Sequence, residues 1–114
     1  MKNNFLHNNI NSRIPLEVII NGNSKVLSGR AEGKIMRDKL KLDTRDSDDK
    51  KYIIKIPNIF AITASYFLEC FGKSIRKLGK EKFNDKYKFN VKNQSVEDNI
   101  ISGIDSALII KMPF

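Results

Sequence analysis

The sequence predicts a single α/β domain, in which a mixed sheet of four to five strands is covered by about three helices. The chain has 114 residues, a length at which one hydrophobic core is expected. Apolar residues make up 40% of it and recur in short blocks, which is enough to build that core. The blocks alternate between the period of a strand and that of an amphipathic helix, so we expect helices packed on a sheet.

The two ends of the chain differ from its middle. Five of the first 13 residues are Asn and show no periodicity, so 1–13 predicts a flexible arm and 14–114 the domain. The last six residues, 109–114, are mostly apolar and are expected to pack on the domain, add an edge strand or meet a partner. No run reaches the roughly 20 apolar residues that span a bilayer, and the amino terminus lacks a secretory apolar block. These features predict a cytoplasmic protein without membrane contact. A monomer and a homodimer are both left open.

The first elements are two strands and a helix. Apolar residues alternate with others over 14–20, which is the pattern of a half-buried strand. The Asn-Gly-Asn sequence at 21–23 favours a tight hairpin into a short strand at 25–27. A helix with Ser28 as its cap should follow, because its apolar residues share one face: Ala31, Ile35, Met36 and Leu40.

The segment 43–51 contains no apolar residue and predicts an exposed loop. Its four aspartates lack the central Gly and closing Glu of a calcium loop, so a solvated turn is favoured over a calcium site. The nearly continuous apolar run at 52–56 then predicts a central strand covered on both faces.

The second half predicts a helix, a strand and a final helix. The Pro-Asn pair at 57–58 ends the central strand, and a helix follows whose inward stripe is Phe67, Cys70, Phe71, Ser74, Ile75 and Leu78. Gly79 interrupts this helix, and 80–83 adds one short turn. Alternation over 87–92 predicts a strand with one solvent-exposed face, and Ser95 opens a last helix in which Gly103 is a weak point.

Few residues suit catalysis or metal binding. The chain has one His and one Cys, His7 and Cys70, which cannot form a disulfide or a four-ligand zinc site. Cys70 has the spacing of a core residue, so an inert thiol is favoured over a nucleophile. We therefore expect no enzyme activity, no catalytic residue, no cofactor and no metal.

Several motifs resemble one family of proteins. The segment 62–72, the Leu-Gly-x-x-x-Phe sequence at 78–83, Asn90 after a short strand, and the Ser-Gly-Arg-Ala sequence at 28–31 carry the resemblance. Together these resemble the STAS-like family, catalogued as a domain of unknown function, over roughly residues 14 to 108. The resemblance implies a single STAS-like domain, related in fold to the anti-sigma factor antagonists.

Those antagonists are non-catalytic regulators that dock on kinase-like ATPases and are switched by phosphorylation of a Ser or Thr where the central helix begins. The resemblance therefore implies a kinase-like ATPase as partner, and a switch at Thr63 or Ser65. Each hydroxyl could instead serve only as a helix cap, which stabilises a fold by roughly 1 kcal/mol. A phosphate at a helix start is favoured by the same free N–H groups.

Charged residues around this helix predict a docking surface. Glu69 lies four residues before Lys73, so an exposed ion pair and a partner contact are both open, and Arg30 could bind a carboxylate or phosphate. Between 69 and 92 there are eight Lys or Arg against three Asp or Glu, within a chain of net charge +8. An acidic protein partner, a nucleic acid or mere solvation could explain that cluster. We expect the docking surface to be the helix start together with Lys73, Arg76, Lys77 and Lys80, and a basic nucleic-acid-associated protein is the alternative function.

Overall fold

A three-stranded parallel sheet lies at the centre of the fold. The computed structural model describes residues 14–22 and 24–109. The strands are β1 (Leu16–Ile19), β2 (Val26–Leu27), β3 (Tyr52–Lys55), β4 (Ala61–Ile62) and β5 (Tyr87–Asn90). The helices are α1 (Arg30–Lys39), α2 (Leu42–Arg45), α3 (Ala64–Leu78), α4 (Lys80–Lys86) and α5 (Gln94–Ile109). The α/β class and the order of the main elements are confirmed.

Strand β3 is central, as its apolar run predicts. It lies between β1 and β5, and its Tyr52 is in register with Leu16 on one side and Tyr87 on the other. Strand β2 pairs with β4 in a separate two-stranded parallel sheet. The predicted mixed sheet of four to five strands is therefore wrong for the described residues, in which every strand pair is parallel and the larger sheet has three strands.

The predicted hairpin is also wrong. Strands β1 and β2 do not pair with each other, since each takes a later strand as its neighbour. The apolar face of β3 explains this, because pairing with β3 places β1 beside it so that Ile20 is completely buried in the core. Leu27 of β2 is instead buried beside Ile62. Residue 23 of the predicted turn lies outside the described residues.

The described helices cover one face of the three-stranded sheet. Tyr52, Ile54 and Tyr87 on that face are buried, whereas the alternate residues of β3 are half-buried and those of β5 are exposed. A strand covered on both faces, as the apolar run suggested, is therefore not observed in this part of the chain. The predicted exposed face of the 87–92 strand is confirmed.

Helix α3 is the centre of the helical layer, with α1 on one side and α5 on the other. Two glycines permit this close packing. A Cβ on Gly33 would lie 2.4 Å from the Tyr66 carbonyl oxygen, and one on Gly103 would lie 2.3 Å from the Phe67 ring. Gly103 is therefore a contact point between helices, although within the sequence it resembles a defect.

The helix boundaries differ from the predicted caps. Gly29, with φ of 93°, precedes α1 and Ser28 makes no cap; Asn93 rather than Ser95 caps α5, accepting from the N–H groups of Ser95 and Val96. Gly79, with φ of 85°, ends α3 and begins α4, as predicted. On α1, Met36 and Leu40 are buried, but Ile35 is 51% exposed.

The 43–51 segment is not a simple exposed loop. Its beginning forms α2, and Asp46 immediately after this helix is buried, with 0% of its side chain exposed. The reason is a set of polar partners from other elements, described below. The predicted arm at 1–13 and the tail at 110–114 lie outside the described residues. Within the described ranges, no helix is long and apolar enough to cross a membrane.

Candidate docking site at the start of the third helix

The two hydroxyls at the start of α3 have different surroundings. Thr63 is the N-cap, and its Oγ1 accepts from the Tyr66 N–H at 3.3 Å. Ser65 lies inside the first turn and is exposed; its Oγ is 3.4 Å from Thr63 Oγ1. The structural cap is therefore confirmed for Thr63, whereas the Ser65 hydroxyl is open to solvent.

An ion pair stands one helical turn beyond Ser65. Arg30, at the start of α1, places Nη2 3.4 Å from Oε2 of Glu69 on α3. The Arg30 side chain is 70% exposed and Glu69 is 28% exposed, so water screens the pair. Lys73, which the sequence predicts as the partner of Glu69, pairs instead with Asp43.

A shallow groove of about 270 Å³ continues from this pair between α1 and α3. Glu69, Lys73 and Arg76 line its α3 side, and Lys34 and Asp38 lie on its α1 side. The Arg76 guanidinium lies over Gly72, where an added Cβ would be 3.3 Å from Nη1. Glu69, Lys73 and Arg76 therefore line one groove. Arg30 contacts its Glu69, and Ser65 lies four residues before Glu69 on the same helix.

The other lysines of the predicted docking surface contact residues of other elements. Lys77 donates to Ser47 Oγ at 3.1 Å, beyond α2, and Lys80 pairs with Asp105 of α5 at 3.1 Å. Lys73 itself is 3.5 Å from Asp43. Lys73, Arg76, Lys77 and Lys80 are all exposed. Carboxylates from α2 and α5 neutralise part of the charge of this set.

Another lysine of the basic cluster is buried. Lys86 donates to Asp48 Oδ1 at 2.6 Å and to the backbone carbonyls of Asp48 and Lys50. Burial opposes ionisation of Asp48, but hydrogen bonds from Lys86, from the Tyr52 hydroxyl and from the Lys50 N–H together outweigh it and lower the pKa of Asp48. The cluster that is continuous in sequence is therefore divided in space.

Asp46 is the acceptor of a buried polar network that the sequence pattern did not indicate. Ser74 Oγ donates to its Oδ2 at 2.6 Å, and the Tyr87 hydroxyl donates to its Oδ1 at 2.6 Å. Arg37 of α1 completes the network, with Nη2 at 3.3 Å from Asp46 and 2.7 Å from Asp43. Arg37 Nη1 also donates to the Cys70 carbonyl at 2.8 Å. The network ties α1, α2, α3 and β5 together beneath the groove.

The only available hint of this network was Ser74 on an otherwise apolar stripe, because a buried hydroxyl needs a partner. Its partners are 28 and 37 residues distant in sequence, so no local pattern names them. Asp46 in particular stands in a run of aspartates, where a solvated turn is the ordinary interpretation.

Cys70 is completely buried beside this network, and the expected core thiol is confirmed. Burial raises the pKa of its thiol well above the usual range, with the Arg37 charge opposing that rise. A thiol in this state is a poor nucleophile. Among the described residues no group of three or more His, Cys, Asp or Glu is placed to hold a metal ion.

Comparisons of the chain with protein-family models, with curated proteins and with solved structures each found no match. The STAS-like resemblance therefore stays a prediction that rests on the motifs of the chain.

Proposed function

We propose that this protein is a non-catalytic regulatory domain that docks on an acidic protein partner and is switched by phosphorylation of Ser65. The partner class follows the resemblance to anti-sigma factor antagonists, which implies a kinase-like ATPase. The observation that carries the proposal is the division between the two hydroxyls. Thr63 holds the helix cap, so Ser65 is free to be modified without loss of that cap.

The neighbours of Ser65 support a switch. A phosphate would add about two negative charges one helical turn before Glu69, and like charges at this spacing repel. Arg30 is held to Glu69 by one exposed contact of 3.4 Å, and such surface pairs are worth at most about 1 kcal/mol. Arg30 would therefore move to the stronger phosphate acceptor, which changes both the charge and the shape of the surface beside Glu69.

The basic residues supply the docking charge. Lys73 and Arg76 lie along the groove, while Lys77 and Lys80 are exposed further along the same helical layer. The intramolecular partners of Lys73, Lys77 and Lys80 hold these three side chains through exposed contacts, which an acidic partner surface can replace. A phosphorylated Ser65 would oppose that partner by adding negative charge to the same surface.

Binding measurements test this proposal. The partner that co-purifies with a tagged copy is identified, expressed and titrated by biolayer interferometry against the wild type, Ser65→Asp and Arg76→Glu. We expect each variant to weaken binding at least tenfold, whereas Lys88→Glu, on the opposite face of the sheet, should leave it unchanged. Unchanged affinity in both Ser65→Asp and Arg76→Glu would show that the proposed surface is wrong.

A phosphorylation assay tests the switch separately. Incubation with the partner and ATP, followed by tandem mass spectrometry, should place one phosphate on Ser65. Ser65→Ala should carry none at this position and should keep the affinity of the unmodified protein. A phosphate on another residue, with Ser65 unmodified, contradicts the switch.

A further inference from the structure

A second groove, separate from the one between α1 and α3, lies at the carboxyl end of the parallel sheet. Its volume is about 480 Å³, within the size range of small-molecule sites. The end of β3 and the turn that follows it, residues 55–60, form one wall, and Asn90 at the end of β5 forms the other with Lys92 and Asn93. Open α/β sheets commonly bind ligands outside the carboxyl ends of their strands, so the position itself suits a ligand.

The wall at 55–60 exposes one aromatic ring. Phe60 is 53% exposed, although most large apolar residues of the turn, such as Ile56 and Ile59, are buried. The Lys25 ammonium lies over one face of the Phe60 ring, 5.0 Å from its centre, and adds positive charge there, which leaves the other face for a ligand. A planar aromatic ligand can stack on such a ring, and stacking of this kind accepts any nucleobase.

The charges that line the groove have one sign. Of the described residues that line it, the two ionisable ones are lysines, Lys55 and Lys92. Lys55 shares its charge with Glu17 at 3.2 Å, so Lys92 is the main anchor for an anion. Asn93 already occupies the first N–H groups of α5, with Oδ1 2.8 Å from the Ser95 N–H. A phosphate would therefore be held by the lysines rather than by the helix end.

The turn also presents side-chain amides in a constrained backbone. Asn58 has φ of 60°, a left-handed conformation that few residues other than Gly adopt, although Asn tolerates it after Pro57. Asn58 and Asn90 are both exposed on the lining, and each amide can donate and accept. Such groups can pair with the polar edge of a base that stacks on Phe60.

From the exposed ring, the lysines and the amides we infer that this groove binds a nucleoside phosphate, with the base on Phe60 and the phosphate at Lys92 and Lys55. The ligand is either a free nucleotide or one nucleotide of a single strand, since both present the same base and phosphate. The site shares no residue with the groove between α1 and α3, and it does not depend on the function proposed above.

Fluorescence anisotropy with methylanthraniloyl-labelled ADP and GDP tests the site. We expect saturable binding of at least one of them, at least tenfold tighter than that of the corresponding labelled nucleoside. Phe60→Ala and Lys92→Gln should each weaken it at least fivefold. The matched controls Ile101→Ala and Lys82→Gln, which change an exposed apolar and an exposed basic residue outside the groove, should not.

Competition identifies the source of the ligand. Displacement by unlabelled mononucleotide supports a free nucleotide, and stronger displacement by a short single-stranded oligonucleotide supports a strand. Displacement by inorganic pyrophosphate as effective as that by nucleotide, with Phe60→Ala unchanged, overturns the inference, because the base would then contribute nothing. Absence of saturable binding up to millimolar concentration overturns it as well.

Amide shifts in a ¹⁵N-labelled sample give an independent readout. Nucleotide should shift signals of Asn58, Phe60 and Asn93 and leave those of Ser65 and Arg30 in place. Shifts confined to the groove between α1 and α3 would refute this location, and they would do so without bearing on the docking proposal.

Discussion

Substitution by Ala should have opposite effects on the free energy of unfolding at Gly33 and at Gly72. Both are buried glycines within helices, so Ala at either position gains about 1 kcal/mol of helix propensity. At Gly72 the atoms nearest to the new methyl group belong to the Arg76 guanidinium, with Nη1 at 3.3 Å. That flexible side chain can move by a few tenths of an ångström, so Gly72→Ala should stabilise the protein by about 0.5–1 kcal/mol.

At Gly33 the methyl group meets backbone. It would lie 2.4 Å from the Tyr66 carbonyl oxygen and 3.0 Å from Glu69 Cβ. Ordinary contacts of this kind are about 3.5 Å, so α1 and α3 would have to separate by roughly 1 Å. Overpacking of this severity costs about 3 kcal/mol, and subtraction of the propensity gain leaves a net loss of about 2 kcal/mol.

Urea unfolding followed by circular dichroism measures the difference. We expect the two variants to differ by about 3 kcal/mol, which corresponds to roughly 1–2 M urea between their midpoints for a domain of this size. Equal midpoints, or a Gly33→Ala midpoint at or above that of Gly72→Ala, would refute the close approach of α1 and α3. The new methyl group would also displace Cβ of Glu69, so Gly33→Ala should weaken partner binding as well.

Other predictions follow from the caps, the buried network and the pKa shifts. Thr63→Ala should lower the free energy of unfolding by about 1 kcal/mol, whereas Ser65→Ala should change it by less than about 0.5 kcal/mol. Asp46→Ala should cost roughly 3–5 kcal/mol in urea unfolding, because it leaves the buried arginine, serine and tyrosine without their shared acceptor. Asp48 has a lowered pKa when folded, so its stabilising contribution is present above its unfolded pKa of about 3.9 and is lost as pH falls through the folded value. Urea midpoints measured from pH 6 to pH 3 should fall less in Asp48→Asn than in the wild type. Cys70 should react with Ellman's reagent only as fast as the protein unfolds.

Each of these has a result that contradicts it. Equal losses in the Thr63 and Ser65 variants would mean that the cap is not specific to Thr63. A cost below about 1 kcal/mol for Asp46→Ala would mean that the network is solvated. Parallel pH profiles for Asp48→Asn and the wild type would remove the role of this carboxylate, and rapid labelling of Cys70 under native conditions would contradict its burial.

Local sequence patterns were sufficient to predict the helices and strands that show a clear hydrophobic periodicity. The alternation over 87–92 and the apolar stripe of α3 correspond to observed elements, and Gly79 separates two helices as expected. They were insufficient for strand pairing. The Asn-Gly-Asn sequence at 21–23 has the local chemistry of a hairpin, yet β1 and β2 each pair with a later strand, because burial of Ile20 and Leu27 depends on partners distant in the chain.

The candidate site shows the same division. Thr63 could be expected as a cap from its position before an apolar stripe, but its distinction from Ser65 depends on which hydroxyl reaches the Tyr66 N–H. The basic cluster was visible in composition. The ion pairs that divide this cluster, with Asp43, Asp48 and Asp105, were not visible, since these carboxylates belong to other parts of the fold.

The residues alone therefore establish a small basic α/β domain with a buried Cys70, because composition and short-range periodicity decide which side chains must leave water. Only the folded chain decides that Gly33 and Gly103 are contact points, that Asp46 is buried, and that Lys86 is a structural residue. Each of these depends on groups more than about 25 residues apart meeting at distances of a few ångströms. The physical reason is that hydrogen bonds and steric contacts act at short range in space, whereas sequence patterns record only neighbours along the chain.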